Sequence, residues 1–540
     1  MNGKPLGGAA LHGVALKASP TEPPSQLTLR QWLIILTASI GALLEIIDVS
    51  ITNVALIQIQ ANLGATLAEV GWVVTGYAMA SVIMIPLSEW LGELFGQRNY
   101  FVFCLLGFTG ASVLCGLAPN LTVLVLARIL QGLLGGGLLP KAQAIIFRTV
   151  PKSLQGIGQA VFGIVVLAGP ALGPTLGGLL TDGLGWRWIF FINVPFGVLT
   201  VLMALAFMEQ DQGREPSGRY SGRIDWSGIA LMALSLGSLQ LVLEQGHQYD
   251  WFENQGIRQL ALLAAIGLPL FVWWELRCLN PAVDLRVLRH RSLAAGSLFS
   301  FVLGIGLYGT VFVVPIFAQS VLGYTATQTG LLMLPGALAS AVTMALLGKV
   351  INRFDPRLLI ALGALLMVLT MTSLASIGPD TGERSLFWPL IMRGSTTVMM
   401  FLPLSLATLG PLPKHDVGSG SGFYNLTRQL GGTFGIAVLT VVLDHQRAVH
   451  RAQLLEHLGS TNPQLQQHLF LLRQFLSMRG MMRGQGDQQA LEILSRQVDL
   501  QAALLAFGDV FRLVALVFLL AIPLVLLLGR PEPGQSGPGH

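Results

Sequence analysis

Residues 32–55 read WLIILTASIGALLEIIDVSITNVA. Apart from Glu45 and Asp48 the stretch carries no charge. As a helix rising about 1.5 Å per residue it crosses a hydrocarbon layer of about 30 Å. The two carboxylates lie half-way through the run, three residues apart, and so share a helix face. An ionised carboxylate in hydrocarbon is costly unless it is paired or protonated. A carboxyl group placed there can change protonation state as a cavity opens to one side or the other. That is the chemistry a proton-coupled transporter needs. The competing reading is a structural acid held in a fixed pair.

The rest of the chain repeats the apolar pattern. Of 540 residues, 53% are hydrophobic and 11% charged, where a soluble domain carries roughly 25% charged residues. Lipid must therefore solvate much of the surface. Backbone groups in lipid have to be satisfied internally, so each apolar run reads as a helix. The expected class is an all-α integral membrane protein with fourteen spans. They are expected near 32–55, 69–88, 100–118, 121–147, 157–180, 187–208, 226–244, 257–275, 294–319, 328–348, 357–377, 385–409, 416–443 and 505–529. No basic stripe interleaved with aromatics suggests nucleic-acid binding. Cys104 and Cys115 fall on one expected helix about 16 Å apart by helical rise, too far to bridge. All three cysteines read as packing residues.

Basic residues set the orientation. Lys4, Lys17, Arg98, Arg148, Lys152, Arg286, Arg289, Arg353 and Arg357 fall on the side of the termini. The short loops opposite hold only Arg187, Arg258 and Arg384. Both termini are therefore expected in the cytoplasm. An internal repeat is also visible. GELFGQRNY at 92–100 resembles GKVINRFDPRL at 348–358, and VPKSLQG at 150–156 resembles LPKHDVG at 412–418. The common offset of about 260 residues fits two parallel six-helix halves with two extra helices between them. The expected organisation is a disordered tail over 1–30, a first half over 31–208, a linker with two helices over 209–293, a second half over 294–529 and a tail over 530–540. Segment 444–504 is polar, with helical patches near 446–458 and 488–503. It is expected as a folded extracytoplasmic flap.

The fourth span, LARILQGLLGGGLLPKAQ, puts Arg128, Gln131 and Gly132 on one face. A lone arginine inside a membrane needs a carboxylate or carbonyl partner, and Asp48 is the natural one. The glycines at 135–137 let a neighbouring helix approach closely. Lys141 either snorkels to the interface or lines a cavity. In the fifth span Gly169, Gly173 and Gly177 recur every four residues beside Pro170 and Pro174, as a hinge or a packing seam. Trp186, Trp188 and Asn193 suit an interfacial belt. Arg393 lies near the outer end of the twelfth span. Arg428, mid-way along the thirteenth, faces protein or water. Asn53, Tyr77, Gln131, Lys141 and Arg428 are the candidates for a substrate cavity.

These elements resemble the major facilitator superfamily, in its fourteen-helix drug:proton antiporter group of the EmrB/QacA type. The likeness runs from about Leu29 to Leu528. Ile47, Asp48, Ser50, Asn53, Val54, Ala55 and Leu56 match that group's first-helix element. Arg128, Gln131, Gly132 and Gly136 match its fourth-helix motif. Gly169, Pro170, Gly173, Pro174, Gly177 and Gly178 match its fifth-helix antiporter motif, which the resemblance associates with exporters. The stretch QAALLAFGDVF at 501–511 is similar to the lead into its last helix. Two departures stand out. The gating loop reads EWLGELFGQR at 89–98, with Glu89 for the first Gly, Glu93 for the Asp and Gln97 for a basic residue. The gating role that the resemblance implies then falls on Glu93 and Arg98. Ile57 replaces the usual Pro of the first helix.

The resemblance implies a proton-driven exporter of hydrophobic or amphipathic small molecules in a bacterial-type cytoplasmic membrane. Asp48 and Glu45 would carry the proton and Arg128 would couple it. No cofactor is expected, the proton gradient being the energy source. A second reading keeps the fold but exports one endogenous metabolite, lipid or siderophore. Segment 444–504 is either a lid or a dock for a periplasmic adaptor with its outer-membrane channel. A membrane enzyme or sensor finds little support. The nine histidines are scattered, and no phosphate-cradling GxxxxGK run is present.

Overall fold

A computed structural model describes residues 26–210, 224–378, 383–457, 463–478 and 483–528. Most of the expected N-terminal tail, the C-terminal tail from residue 530 and linker residues 211–223 lie outside the described residues. Every regular element described is helical. The first six-helix half holds α1 (Leu29–Leu63), α2 (Leu67–Phe95), α3 (Gln97–Gly116), α4 (Leu121–Gly135), α5 (Leu138–Thr149), α6 (Gln155–Gly183), α7 (Trp188–Phe191) and α8 (Asn193–Phe207). The extra pair is α9 (Trp226–Gln245) and α10 (Gln255–Arg277). The second half holds α11 (Arg291–Ser320), α12 (Ala326–Val350), α13 (Pro356–Ala375), α14 (Glu383–Leu409), α15 (Val417–His457), α16 (Pro463–Met478) and α17 (Arg483–Ala521). Among the described residues fourteen stretches are long and apolar enough to span a bilayer, α4 with α5 and α7 with α8 each forming one.

The internal repeat is built into the packing. In the first half α1 packs on α6, α2 on α4 and α3 on α8; in the second α11 packs on α15, α12 on α14 and α13 on α17. First pairs with fifth, second with fourth and third with sixth in both. The extra helices pack on each other, and α9 also leans on α2 and α15, across the seam between halves.

Three elements differ from expectation. The first span runs unbroken past Ile57 to a left-handed cap at Gly64 (φ 64°). Ile57 keeps the backbone N–H that a proline lacks, so nothing interrupts the helix there. The fourth span breaks into α4 and α5 within the glycine run. A Cβ on Gly136 would lie 2.6 Å from the Ser81 Cα of α2, so only glycine permits this approach. The described residues of segment 444–504 are helical and continue the neighbouring spans: α15 carries on to His457, α17 starts at Arg483, and α16 stands between them.

The glycines of α6 form a seam against α1. Added Cβ atoms on Gly169, Gly173 and Gly177 would meet Ile46, Ser50 and Val54 in turn. Pro174 lacks the N–H that would bond the Pro170 carbonyl four residues back. Ser50 Oγ donates to that carbonyl instead, at 3.2 Å. The opposite side of α6 lies along α12, where Gly156 faces Ile351 and Gly348. Asn352 Nδ2 also donates to the Ser153 carbonyl at 2.8 Å. The halves thus meet tightly at the face where α1 begins. Gly173→Ala forces its methyl into Ser50 and is expected to cost about 1–3 kcal/mol. Gly178→Ala meets only Thr327 Oγ1, at 3.9 Å, and is expected to be neutral. Thermal unfolding of the two purified variants in detergent checks the contrast.

Candidate functional site

The site begins with the charges of the first half. Asp48 on α1 and Arg128 on α4 form an ion pair with side chains 1% and 0% exposed. Gln131, one turn beyond Arg128, joins both members. Its Nε2 donates to Asp48 Oδ1 at 3.0 Å, and its Oε1 accepts from Arg128 Nη1 at 2.7 Å. Asn193, the first residue of α8, donates from Nδ2 to Asp48 Oδ1 at 2.7 Å. Every partner of the carboxylate is a donor, so its oxygens act only as acceptors. Arg128 Nε donates to the Val73 carbonyl at 3.0 Å. Its guanidinium also lies 4.3 Å from the centre of the Tyr77 ring, a cation–π contact that helps hold a buried cation.

Glu45 and Asp48 share a face of α1 yet serve different helices. The break at Gly136 and Gly137 creates a helix N-terminus inside the membrane, with backbone N–H groups that α5 cannot satisfy. Glu45 Oε2 accepts from one of them, Leu139 N, at 2.9 Å. Negative charge is favoured at this end of a helix. Arg428 of the second half attracts Glu45 without bonding to it. Glu45 therefore caps α5, while Asp48 alone meets Arg128.

A second charge network lies towards the face where α1 begins. Lys141, 1% exposed, pairs with Glu89 at 2.5 Å, and Arg148 binds the other oxygen of Glu89. Gln97 accepts from Lys141 through Oε1 and donates to Glu89 at 3.2 Å. Lys141 thus does not snorkel to the interface, because α2 supplies a carboxylate within its reach. Glu93, one turn on, adds its charge near Lys141. Arg98 ties the loop to the end of the sixth span by donating to the Leu205 carbonyl. Glu89 also packs on Gly418, the second residue of α15, where no side chain would fit. Beside it Ser421 Oγ donates to the Pro140 carbonyl at 2.9 Å, and Asn425 Nδ2 donates to Gln143 Oε1 at 2.7 Å. These bonds join α5 to α15 across the two halves.

The remaining candidates stand apart. Asn53 is exposed on α1. Arg428 is buried against Phe401 and Tyr424, with Asn425 Oδ1 as acceptor. Two of the three expected belt residues, Trp186 and Asn193, need correction. Trp186 is 2% exposed and packs in the first half, whereas Trp188 is 48% exposed as a belt residue would be. Asn193 belongs to the Asp48 site and not to an interface. Its signal was available, a polar amide inside the run FFINVPFG, but the adjacent tryptophans outweighed it.

A multi-pass bundle of two repeated halves, with a buried ion pair between spans of one of them, has the build of a transporter. Residues 38–436 match the Major Facilitator Superfamily, and the chain belongs to that family, in its EmrB-type branch. It is 32% identical over 504 residues to the multidrug export protein EmrB of Escherichia coli, covering 93% of this chain and 96% of that one. It is 30% identical over 522 residues to the fatty acid resistance protein FarB of Neisseria gonorrhoeae, covering 96% and 99%. A solved structure of a double tryptophan mutant of XylE shares the fold, with a TM-score of 0.60 at 13% identity over 93% of this chain and 97% of that one.

Removing the Glu89 charge strands Lys141 and leaves Arg148 unpaired. Glu89→Gln is expected to destabilise the protein by about 3–5 kcal/mol, as breaking a buried pair does. Adding Lys141→Met is expected to recover part of that loss. Unfolding midpoints of the single and double variants measure the coupling.

Proposed function

We propose that the protein exports hydrophobic or amphipathic small molecules in exchange for protons, by alternating access of its two halves. The observation that carries this reading is the buried Asp48–Arg128 pair with its ring of donors. A proton arriving on Asp48 cancels the charge that holds Arg128. Arg128 keeps the Val73 carbonyl, the Gln131 amide and the Tyr77 ring, so its own charge stays solvated by protein. Because Asp48 rides on α1 and Arg128 on α4, protonation loosens one helix from the other. On the far side of α1 the glycine seam passes that movement to α6, and α6 lies along the second half. Glu45 caps the N-terminus of α5 in the present arrangement.

The direction and cargo draw on the relatives. EmrB is named for multidrug export and FarB for fatty acid resistance. With the basic loops facing the cytoplasm, the membrane is the bacterial cytoplasmic one and both termini lie inside. The reaction is then transport and not catalysis, and the proton gradient replaces any cofactor. The helical extension over 444–504 stands on the outer face, where an adaptor leading to an outer-membrane channel would dock.

Everted vesicles test the coupling. After respiration has acidified their lumen, adding a transported drug is expected to release protons from the wild-type vesicles. Asp48→Asn is expected to lower that release at least tenfold. Unchanged drug-dependent release from the variant would sink the role given to Asp48.

A further inference from the structure

The two halves differ in how they treat buried charge. In the first, Arg128 has Asp48 and Lys141 has Glu89. In the second, Arg393 on α14 has no such partner. Its side chain is buried, with the residue 8% exposed. It begins about 12 Å along a span that starts at Ser385. Its Nη1 reaches Thr310 Oγ1 at 3.3 Å and its Nη2 the Met333 sulfur at 3.8 Å. Its Nε has no hydrogen-bond partner. Among the described residues no Asp or Glu pairs with it. Burying a guanidinium against a hydroxyl and a thioether leaves most of its charge uncompensated.

A small cavity opens beside this side chain, with about 30 Å³ of free space. That is room for a carboxylate group or about two waters. Its walls come from both halves: Leu167 and Pro170 from α6, Leu307 and Thr310 from α11, and Met333 from α12. The surroundings are therefore one strong donor fork in an apolar shell, the arrangement that recognises a planar anion bearing an apolar body.

We propose that Arg393 docks the anionic head group of an amphipathic carboxylate substrate, seated between α6 and the second half. The claim deepens the exporter reading and rests on it for the movement of the cargo, though not for its binding. The head group completes the hydrogen bonding that Arg393 lacks. The apolar body lies along Leu167, Leu307 and Met333. A ligand here also touches Pro170, whose carbonyl is held by Ser50, two residues from Asp48 on α1. Occupancy of the anion site and the charge on Asp48 thus act on the same seam.

The test measures binding of labelled decanoate and of labelled tetraphenylphosphonium, a lipophilic cation, to the purified full chain in nanodiscs. The wild type is expected to bind decanoate. Arg393→Gln is expected to lower the decanoate-to-cation affinity ratio at least tenfold. Arg393→Lys, which keeps the charge but loses the fork, is expected to lower it less than Arg393→Gln. Thr310→Asp brings a carboxylate to Arg393 and is expected to lower the ratio as Arg393→Gln does. Because it supplies the missing counter-charge, this variant carries the test if Arg393→Gln does not fold. The proposal is overturned if the wild type does not bind decanoate, if the folded variants keep the wild-type ratio, or if both ligands weaken together. Failure of the exporter reading would show differently, as absent drug-driven proton release in vesicles alongside intact decanoate binding.

Discussion

The pairing of Asp48 with Arg128 sets two opposite charges in the middle of a helical bundle that lipid surrounds. Neither charge is tolerable alone at that depth, and together they still require donors and acceptors to replace lost water. The first half is arranged to provide them. Gln131 bridges the pair, Asn193 reaches in from the sixth span, and α2 offers a carbonyl and an aromatic ring. Four spans therefore converge on one ion pair. α1, α4 and α8 meet at the carboxylate itself, and α2 holds its arginine.

The second constraint is the broken fourth span. A helix that ends and restarts inside a membrane must find partners for its loose backbone groups. Gly136 allows α2 to approach the break, and Glu45 satisfies the N-terminus of α5. α5 is bonded to α15 through Pro140 and Gln143 and to its own half through Glu45 and Glu89. It thus bridges the two halves, while α4 keeps Arg128 beside Asp48.

Much of this was legible in the residues. The count of spans, the repeat and the partnership of Asp48 with Arg128 followed from apolar length, a 260-residue offset and the intolerance of lipid for lone charge. Tyr77 and Gln131 were picked as cavity walls, but they were found supporting the ion pair. Periodicity says which face a residue occupies and not which neighbour that face meets. Glu89 reads in the sequence as a departure from a gating pattern; its work with Lys141 and Arg148 depends on residues 52 and 59 positions away, both on α5. Glu45 was grouped with Asp48 because three residues along a helix share a side. A break in another helix separated their tasks, and three adjacent glycines do not announce where a helix will part. The long continuation of α15 was hidden for a different reason. Its outer end is polar, so the apolar run in the sequence ends at 443.

That continuation has a mechanical consequence. α15 is one helix of 41 residues, or about 60 Å at 1.5 Å per residue, roughly twice the hydrocarbon thickness. Its first turn rests on Glu89 and its far end is polar. A rod of that length pivoting near one end is a lever: a tilt of about 10° swings the free end through about 10 Å. A small tilt about Glu89 would thereby be enlarged into a displacement at the opposite end of the helix.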